Sequence, residues 1–222
     1  DEEETPKIGD FRPLNEKPPL AADEEEVMDK KLRVGILGGT GMVGQRFIAL
    51  LENHPWFEVT TIAASPRSAG KTYEEAVGGR WKMTTPMPEA VKKLVVMNVN
   101  EVEKVASRVD FVFSAVDMTK DEIKKIEEEY AKTETPVVSN NSAHRWTPDV
   151  PMMVPEINPE HMEVIDAQKK RLGTTRGFVA VKPNCSIQSY APVLTAWMEF
   201  EPYEVVATTY QAISGAGKTF AD

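Results

Sequence analysis

Residues 32–54 read LRVGILGGTGMVGQRFIALLENH. A short apolar run with β-branched members ends in glycine, and beyond the glycines the apolar positions of MVGQRFIALLENH recur at helical spacing. That order is strand, tight turn, helix. A second apolar run, FEVTTIAAS, comes next, followed by LVVMNV, VDFVFSAV, TPVVSN and GFVAVKP, with helical stretches such as DEIKKIEEEYAK between some of them. Strands alternating with helices predict an α/β fold, with a doubly wound parallel sheet covered on both faces. VPMMVPEINPEHMEVIDAQKKR sets prolines ahead of a short amphipathic helix and reads as a crossover out of this first domain.

At 222 residues the chain is long enough for one complete domain and part of another. Hydrophobic residues make up 41% and charged residues 27%, as in soluble globular proteins, and no apolar run approaches the roughly 18 residues of a membrane span. No membrane partner is expected. The net charge of -9 is unevenly placed, because residues 1–31 hold eleven acids and five bases and so carry -6 of it. Elsewhere Lys and Arg are interleaved with acids, without the basic stripe of a nucleic-acid binder, so no nucleic-acid partner is expected. One cysteine excludes an internal disulfide framework and suits a reducing cytoplasm, and no metal site is expected. Residues 1–31, acidic, proline-containing and poor in large apolar residues, are expected to be a disordered tail without a catalytic role.

Beyond GFVAVKP the character changes. SIQSYAPVLTAWMEF has helical periodicity with a kink expected at Pro192, and YEVVATTYQAIS alternates as a strand does. One helix and one strand cannot enclose a core, so the chain reads as incomplete at its C-terminus. The expected division is a tail over residues 1–31, a Rossmann-type domain over 32–182, and the beginning of a second domain over 183–222.

GGTGMVG contains G-x-G-x-x-G at Gly39, Gly41 and Gly44. Between a strand and a helix, such glycines permit a tight turn, backbone approach to a pyrophosphate and close helix packing. Gly39, Thr40, Gly41, Met42, Val43 and Gly44 are therefore candidate dinucleotide contacts, the alternative being a glycine turn without a ligand. Sites that prefer NAD place an acid at the end of the second strand. Here AASPRSAGK offers Ser65, Arg67 and Ser68, with Lys71 close behind, which suits an additional 2′-phosphate. NADP is the expected cofactor; the alternative for these residues is a solvated basic turn.

Cys185 lies in VKPNCSIQSYAP, where a strand gives way to a helix. A lone cysteine is often a small buried hydrophobe, but a helix N-terminus favours the thiolate. Joined to a hydride carrier, a thiolate can take an aldehyde through a thiohemiacetal to a thioester.

The motifs GGTGMVGQRF, ASPRSAGK, SNNSAHR, VPEINPEH, KPNCSIQ and TYQAISGAGK, in this order, resemble the aspartate-semialdehyde dehydrogenase family, particularly its archaeal and fungal branch, over residues 32–222. The resemblance implies NADPH-dependent reductive dephosphorylation of 4-phospho-L-aspartate to aspartate 4-semialdehyde, on the route to lysine, threonine and methionine. It implies that residues 183–222 open an α+β catalytic and dimerisation domain, and that the complete protein is a homodimer or homotetramer acting on a small-molecule substrate. Cys185 matches the acyl-thioester nucleophile, Asn184 its neighbour, and Gln211 the glutamine that orients substrate and thioester. Arg145 matches the arginine that grips the phosphate, with Asn140 and Ser142 as further candidates whose alternative is loop capping. Ser114, Ala115, Ser214 and Gly215 fall where the family brings its chain near the nicotinamide. The family's catalytic histidine and its carboxylate-binding arginine lie downstream of SGAG, beyond Asp222. His54 and His161 are expected at the surface, and His144 near the phosphate or unused. Two other possibilities are a related acyl-thioester reductase, such as malonyl-CoA reductase, and a non-catalytic dinucleotide-binding module. N-acetylglutamyl-phosphate reductase shares the plan, but SNNSAHR and KPNCSIQ fit it less well.

Overall fold

The computed structural model describes residues 30–211. Six strands, β1 (Leu32–Leu37), β2 (Phe57–Ala64), β3 (Met97–Asn98), β4 (Phe111–Ser114), β5 (Val137–Ser139) and β6 (Val179–Val181), form one parallel sheet in the order β3-β2-β1-β4-β5-β6. The chain winds outward from β1 to β3, returns to the other side of β1, and winds outward again. This is the doubly wound Rossmann order.

Successive side chains of a strand point to opposite faces. Val34 and Ile36 of β1, with Ile62 and Ala64 of β2, pack on α1 (Met42–Leu50), α2 (Tyr73–Val77) and α3 (Glu89–Lys92). Leu37, Ala63, Val112, Val137 and Val179 pack on the opposite side with α4 (Val102–Ala106) and α5 (Lys120–Lys132), and Leu172 of α6 (Ile165–Leu172) packs against that cluster. α5 begins where its sequence signals it: the Thr119 hydroxyl accepts from the Glu122 amide, and the Glu122 carboxylate accepts from the Thr119 amide at 3.0 Å. Its inward face carries Ile123, Ile126 and Tyr130, and also the charged Glu127.

Two expectations are corrected. LVVMNV yields only the two-residue β3, because Val96 instead pairs with the segment before α2: its amide donates to the Lys71 carbonyl and its carbonyl accepts from Gly70, both at 2.8 Å. YEVVATTYQAIS forms no strand over residues 203–211, while 212–214 lie outside the described residues. A strand exists through its ladder, and the outer edge of β6 is already taken: Val181 donates to Pro151 and accepts from Met153. Tyr203 and Tyr210 are each 98% exposed as a result. α7 (Cys185–Ala196) runs through Pro192 as one helix. No side chain of α7 is buried, and Ile187 and Val193 stand in solvent.

In the glycine turn and the start of α1, Gly38 and Gly44 are dictated by packing against backbone. Gly38 has φ +79°, and a Cβ there would lie 2.3 Å from the Ala115 carbonyl oxygen; at Gly44 it would lie 2.4 Å from the Gly38 carbonyl oxygen. At Gly41 the nearest atom would be 3.4 Å away. Gly44→Ala is therefore expected to lower the unfolding free energy by about 1–3 kcal/mol, and Gly41→Ala by clearly less, as read from denaturant melts.

His144 is buried beside α5. Its Nδ1 lies 3.1 Å from the Thr147 hydroxyl and its Nε2 3.3 Å from the Lys124 carbonyl. Burial pushes its pKa down, against the opposing charge of Glu127. The unfolded imidazole, with a pKa of about 6.5, takes up a proton that the folded one refuses, so stability is full above that pH and lost as pH falls below it. Unfolding free energy is expected to decline from pH 7.5 to 5.5, and His144→Gln to flatten that part of the profile.

Candidate functional site

The sequence-predicted residues that fall among those described lie at the C-terminal edge of the sheet, on the last residue of a strand, the loop that leaves it or the first turn of the helix that follows, or on the segment that returns to Cys185. In a doubly wound sheet ligands bind along that edge, at the point where the winding reverses, here between β1 and β4. Backbone hydrogen bonds fasten these loops to one another. Ala63 accepts from Gly38 at 2.8 Å and Gly39 at 3.3 Å, Leu37 from Ala115 at 2.8 Å, Ser114 from Asn140 at 2.9 Å and Ser139 from Lys182 at 3.1 Å.

The glycine turn is held from beneath by two residues that the motif does not include. The buried Tyr73 hydroxyl donates to the Gly39 carbonyl at 2.8 Å, and burial pushes its pKa far above the usual phenol range. The buried Gln45 amide donates to the carbonyls of Thr40 and Arg80 at 3.1 and 3.0 Å, while its oxygen accepts from Lys82 at 2.8 Å. Thr40 and Met42 are half-buried, and Gly41 and Val43 are exposed. At the start of α1 the Met42 and Val43 amides have no carbonyl four residues back within the helix, so with the side-chain-free Gly41 they leave a bare, donor-rich surface. Such a surface fits a pyrophosphate. Ser65 and Arg67 stand exposed beyond β2, in a turn closed by the Ser68 amide donating to the Ser65 carbonyl at 2.9 Å.

The loop after β5 is fixed by a buried carboxylate. Glu127, 0% exposed, accepts from the Ser139 hydroxyl at 2.6 Å and from the Asn141 side-chain amide at 3.0 Å, and that amide reaches the Ser114 hydroxyl at 3.3 Å. The second Glu127 oxygen is buried without a partner. Ser114 thus turns its side chain inward, leaving Ala115 as the residue of that pair that is half-exposed at the edge. The half-buried Asn140 contributes a backbone link and Ser142 is exposed; their neighbour Asn141, absent from the sequence-based set, does the fastening. A charge on the apolar face of α5 was the available signal for Glu127.

Arg145 ends this loop, with its Nε donating to the Lys182 carbonyl at 3.2 Å. Lys182 follows β6 and is half-buried; burial, and then the charge of Arg145, lower its pKa, while Cys185 raises it. Cys185 is the exposed first residue of α7, whose N-cap Asn184 accepts from the Ser186 amide at 2.8 Å. The Gln211 side-chain amide comes from 26 residues away to donate to the Cys185 Sγ at 3.1 Å. Between α7 and residues 205–211 runs an open groove of about 700 Å³, with Cys185, Ser189, Tyr190 and Gln211 among its lining. The structure thus brings together Cys185, Asn184 and Gln211, with Arg145 reaching Lys182 alongside. Ser214 and Gly215 lie outside the described residues.

The histidines are engaged elsewhere. His144 is used internally, His161 pairs with the Met152 backbone at 3.1 and 3.3 Å, and His54 stacks on Phe57 with ring centroids 4.6 Å apart. Both expected surface histidines are in fact half-buried. Among the described residues, no group of three or more His, Cys, Asp or Glu could hold a metal, and no helix is long and apolar enough to cross a membrane.

Residues 33–165 match the family described as semialdehyde dehydrogenase, NAD binding domain. The aspartate-semialdehyde dehydrogenase of Methanothermobacter thermautotrophicus is 43% identical over 84% of this chain and 52% of its own length. That of Aspergillus fumigatus is also 43% identical, over 84% of this chain and 50% of its own. The crystal structure of the Candida albicans aspartate-semialdehyde dehydrogenase with NADP superimposes with a TM-score of 0.67 at 38% identity, covering 78% of this chain and 48% of the other. The chain spans about half the length of the curated relatives it matches. A Rossmann sheet, a glycine turn bare of side chains and a sequence match running through both make the conclusion plain: the chain belongs to the semialdehyde dehydrogenase family, with its NAD binding domain over residues 33–165.

Proposed function

We infer that the whole protein is an aspartate-semialdehyde dehydrogenase that forms its thioester on Cys185 and takes its reducing equivalents from NADPH. One observation carries the assignment of the nucleophile: an exposed thiol on the first residue of a helix, approached at 3.1 Å by the amide of Gln211. The names of the relatives, aspartate-semialdehyde dehydrogenases, support aspartate semialdehyde as one of the reactants, and the proposed partner reactant is 4-phospho-L-aspartate. Residues 32–182 bind the nucleotide, and residues 183–222 begin the part that completes the catalytic site.

The chemistry follows from these positions. The Cys185 thiolate attacks the acyl carbon of the acyl phosphate; an S–C bond forms, the C–O bond to phosphorus breaks, and its electron pair leaves with inorganic phosphate. Bound NADPH supplies the hydride that reduces the resulting thioester. Cys185 is then the leaving group, departing as thiolate while aspartate 4-semialdehyde is released. The Gln211 amide donor stabilises sulfur as an anion and orients the acyl group beside it. Asn184 fixes the start of α7 and so the direction of the thiol. Arg145 offers a planar pair of donors to the phosphoryl oxygens. At the other end of the edge, Met42 and Val43 present their amides to the pyrophosphate, and Arg67 with Ser65 and Ser68 meets the 2′-phosphate. None of the three histidines is free at Cys185, so general acid–base assistance comes from outside the described residues.

Three results are expected. Iodoacetamide modifies Cys185 faster than it modifies the cysteine of a short peptide at the same pH, and equal rates would sink the nucleophile. Arg67→Ala weakens NADPH binding about tenfold or more in fluorescence titrations while leaving NADH binding nearly unchanged, as the loss of one charged hydrogen-bonding partner implies. The 222-residue chain, given NADPH and 4-phospho-L-aspartate, does not sustain turnover; steady oxidation of NADPH by it would overturn the assignment of the acid–base group.

A further inference from the structure

Two cationic side chains on different loops, Arg145 and Lys182, lie within electrostatic range of one another, Lys182 also of Cys185, and among the described residues neither has a carboxylate partner. The Arg145 guanidinium is held against the chain at Lys182 by its Nε, which donates to the Lys182 carbonyl at 3.2 Å, while the Lys182 amide is tied to the end of β5 at Ser139. The Lys182 ammonium does not extend into solvent. It folds back over the start of α7, 3.2 Å from the Pro183 carbonyl and 3.5 Å from the Gln188 side-chain oxygen. Among the described residues, none of the ion pairs includes Arg145 or Lys182, although Arg33, Lys92, Lys104, Lys125 and Arg171 all have carboxylate partners. Among the described residues, Lys182 has neutral acceptors alone.

Holding two like charges close together, with one of them half-buried, costs free energy that two uncharged carbonyls recover only in part. The cost falls when an anion enters between them. A doubly charged, many-oxygen group gains more from two cations than a single carboxylate does, because each cation finds its own oxygens. In the reaction inferred above, such a group exists on one side of the acyl carbon that Cys185 attacks, and its charge grows as the C–O bond breaks. Resting on that assignment, we propose that Lys182 is a second cation of the phosphoryl end of the site, sharing with Arg145 the charge of the acyl phosphate and of the departing phosphate.

Cys185 is the only cysteine in the chain, so alkylation reports on it directly. The test compares iodoacetate, an anion, with neutral iodoacetamide at fixed ionic strength, for the wild type, Lys182→Gln and Lys182→Arg, with inorganic phosphate as the competing probe. The iodoacetate-to-iodoacetamide rate ratio is expected to fall about threefold or more in Lys182→Gln, a factor typical of one nearby partly screened charge, and to stay close to wild type in Lys182→Arg. Phosphate should protect Cys185 from iodoacetate in the wild type and need a several-fold higher concentration in Lys182→Gln. Thermal unfolding of the variants serves as the check that the fold is intact. An unchanged ratio and an unchanged phosphate midpoint in a folded Lys182→Gln overturn the role of Lys182. Iodoacetamide reacting with the wild type no faster than with a peptide thiol would instead count against the nucleophile, whichever way the ratio moves.

Discussion

A carbonyl at the end of each inner strand, or one residue before it in β2, captures an amide from the loop of a neighbour. Ala63 holds Gly38 and Gly39, Leu37 holds Ala115, Ser114 holds Asn140, and Ser139 holds Lys182. These bonds are what convert a set of loops into a site. Parallel strands need long crossovers, so residues that meet at this edge come from distant parts of the chain. Only because the ladder continues one step past each strand does the glycine turn keep a fixed relation to the loop that carries Arg145, and that loop to Lys182 and Cys185.

Beneath the fastened edge lies an unusual expense, a carboxylate with no solvent access. Glu127 accepts from Ser139 and Asn141, and Asn141 reaches across to Ser114, so one side chain on α5 ties the ends of β4 and β5 together. A buried charge left without donors costs several kcal/mol, and one left with donors on a single oxygen retains part of that cost. The loop bearing Arg145 is thus held by polar bonds from within rather than by apolar packing. The same physics recurs at the surface with the sign reversed. Arg145 and Lys182 are two cations without a carboxylate partner among the described residues, near a thiol, at the edge where an anionic substrate is inferred to react.

Much of this was legible in residues 32–54 and the runs that follow them. A short apolar run giving way to a helical period at a glycine pair predicts strand, turn and helix, and the further apolar runs with helical stretches between some of them predict the sheet. Gly38 and Gly44 bear out that logic, since any side chain at either would strike backbone. The strand expected in YEVVATTYQAIS was not realised over residues 203–211, because alternation marks the ability to pair and says nothing of whether an edge is available. Pro151 and Met153 had taken the edge of β6. The shortening of LVVMNV to β3 has the same origin, a competing partner at residues 70–72.

The sequence by itself determined the class of fold, the glycine turn, the helix in DEIKKIEEEYAK and the cysteine at a helix start, because each is set by neighbours within a few positions along the chain. Only the tertiary structure decided that Gln211 reaches Cys185 from 26 residues away, that Tyr73 and Gln45 brace the glycine turn, that Asn141 rather than Asn140 or Ser142 fastens its loop to Glu127, and that Lys182 lies uncompensated beside Arg145. Most of those contacts join residues far apart along the chain. Their geometry depends on which strands are neighbours and in what register, and no local pattern of side chains carries that information.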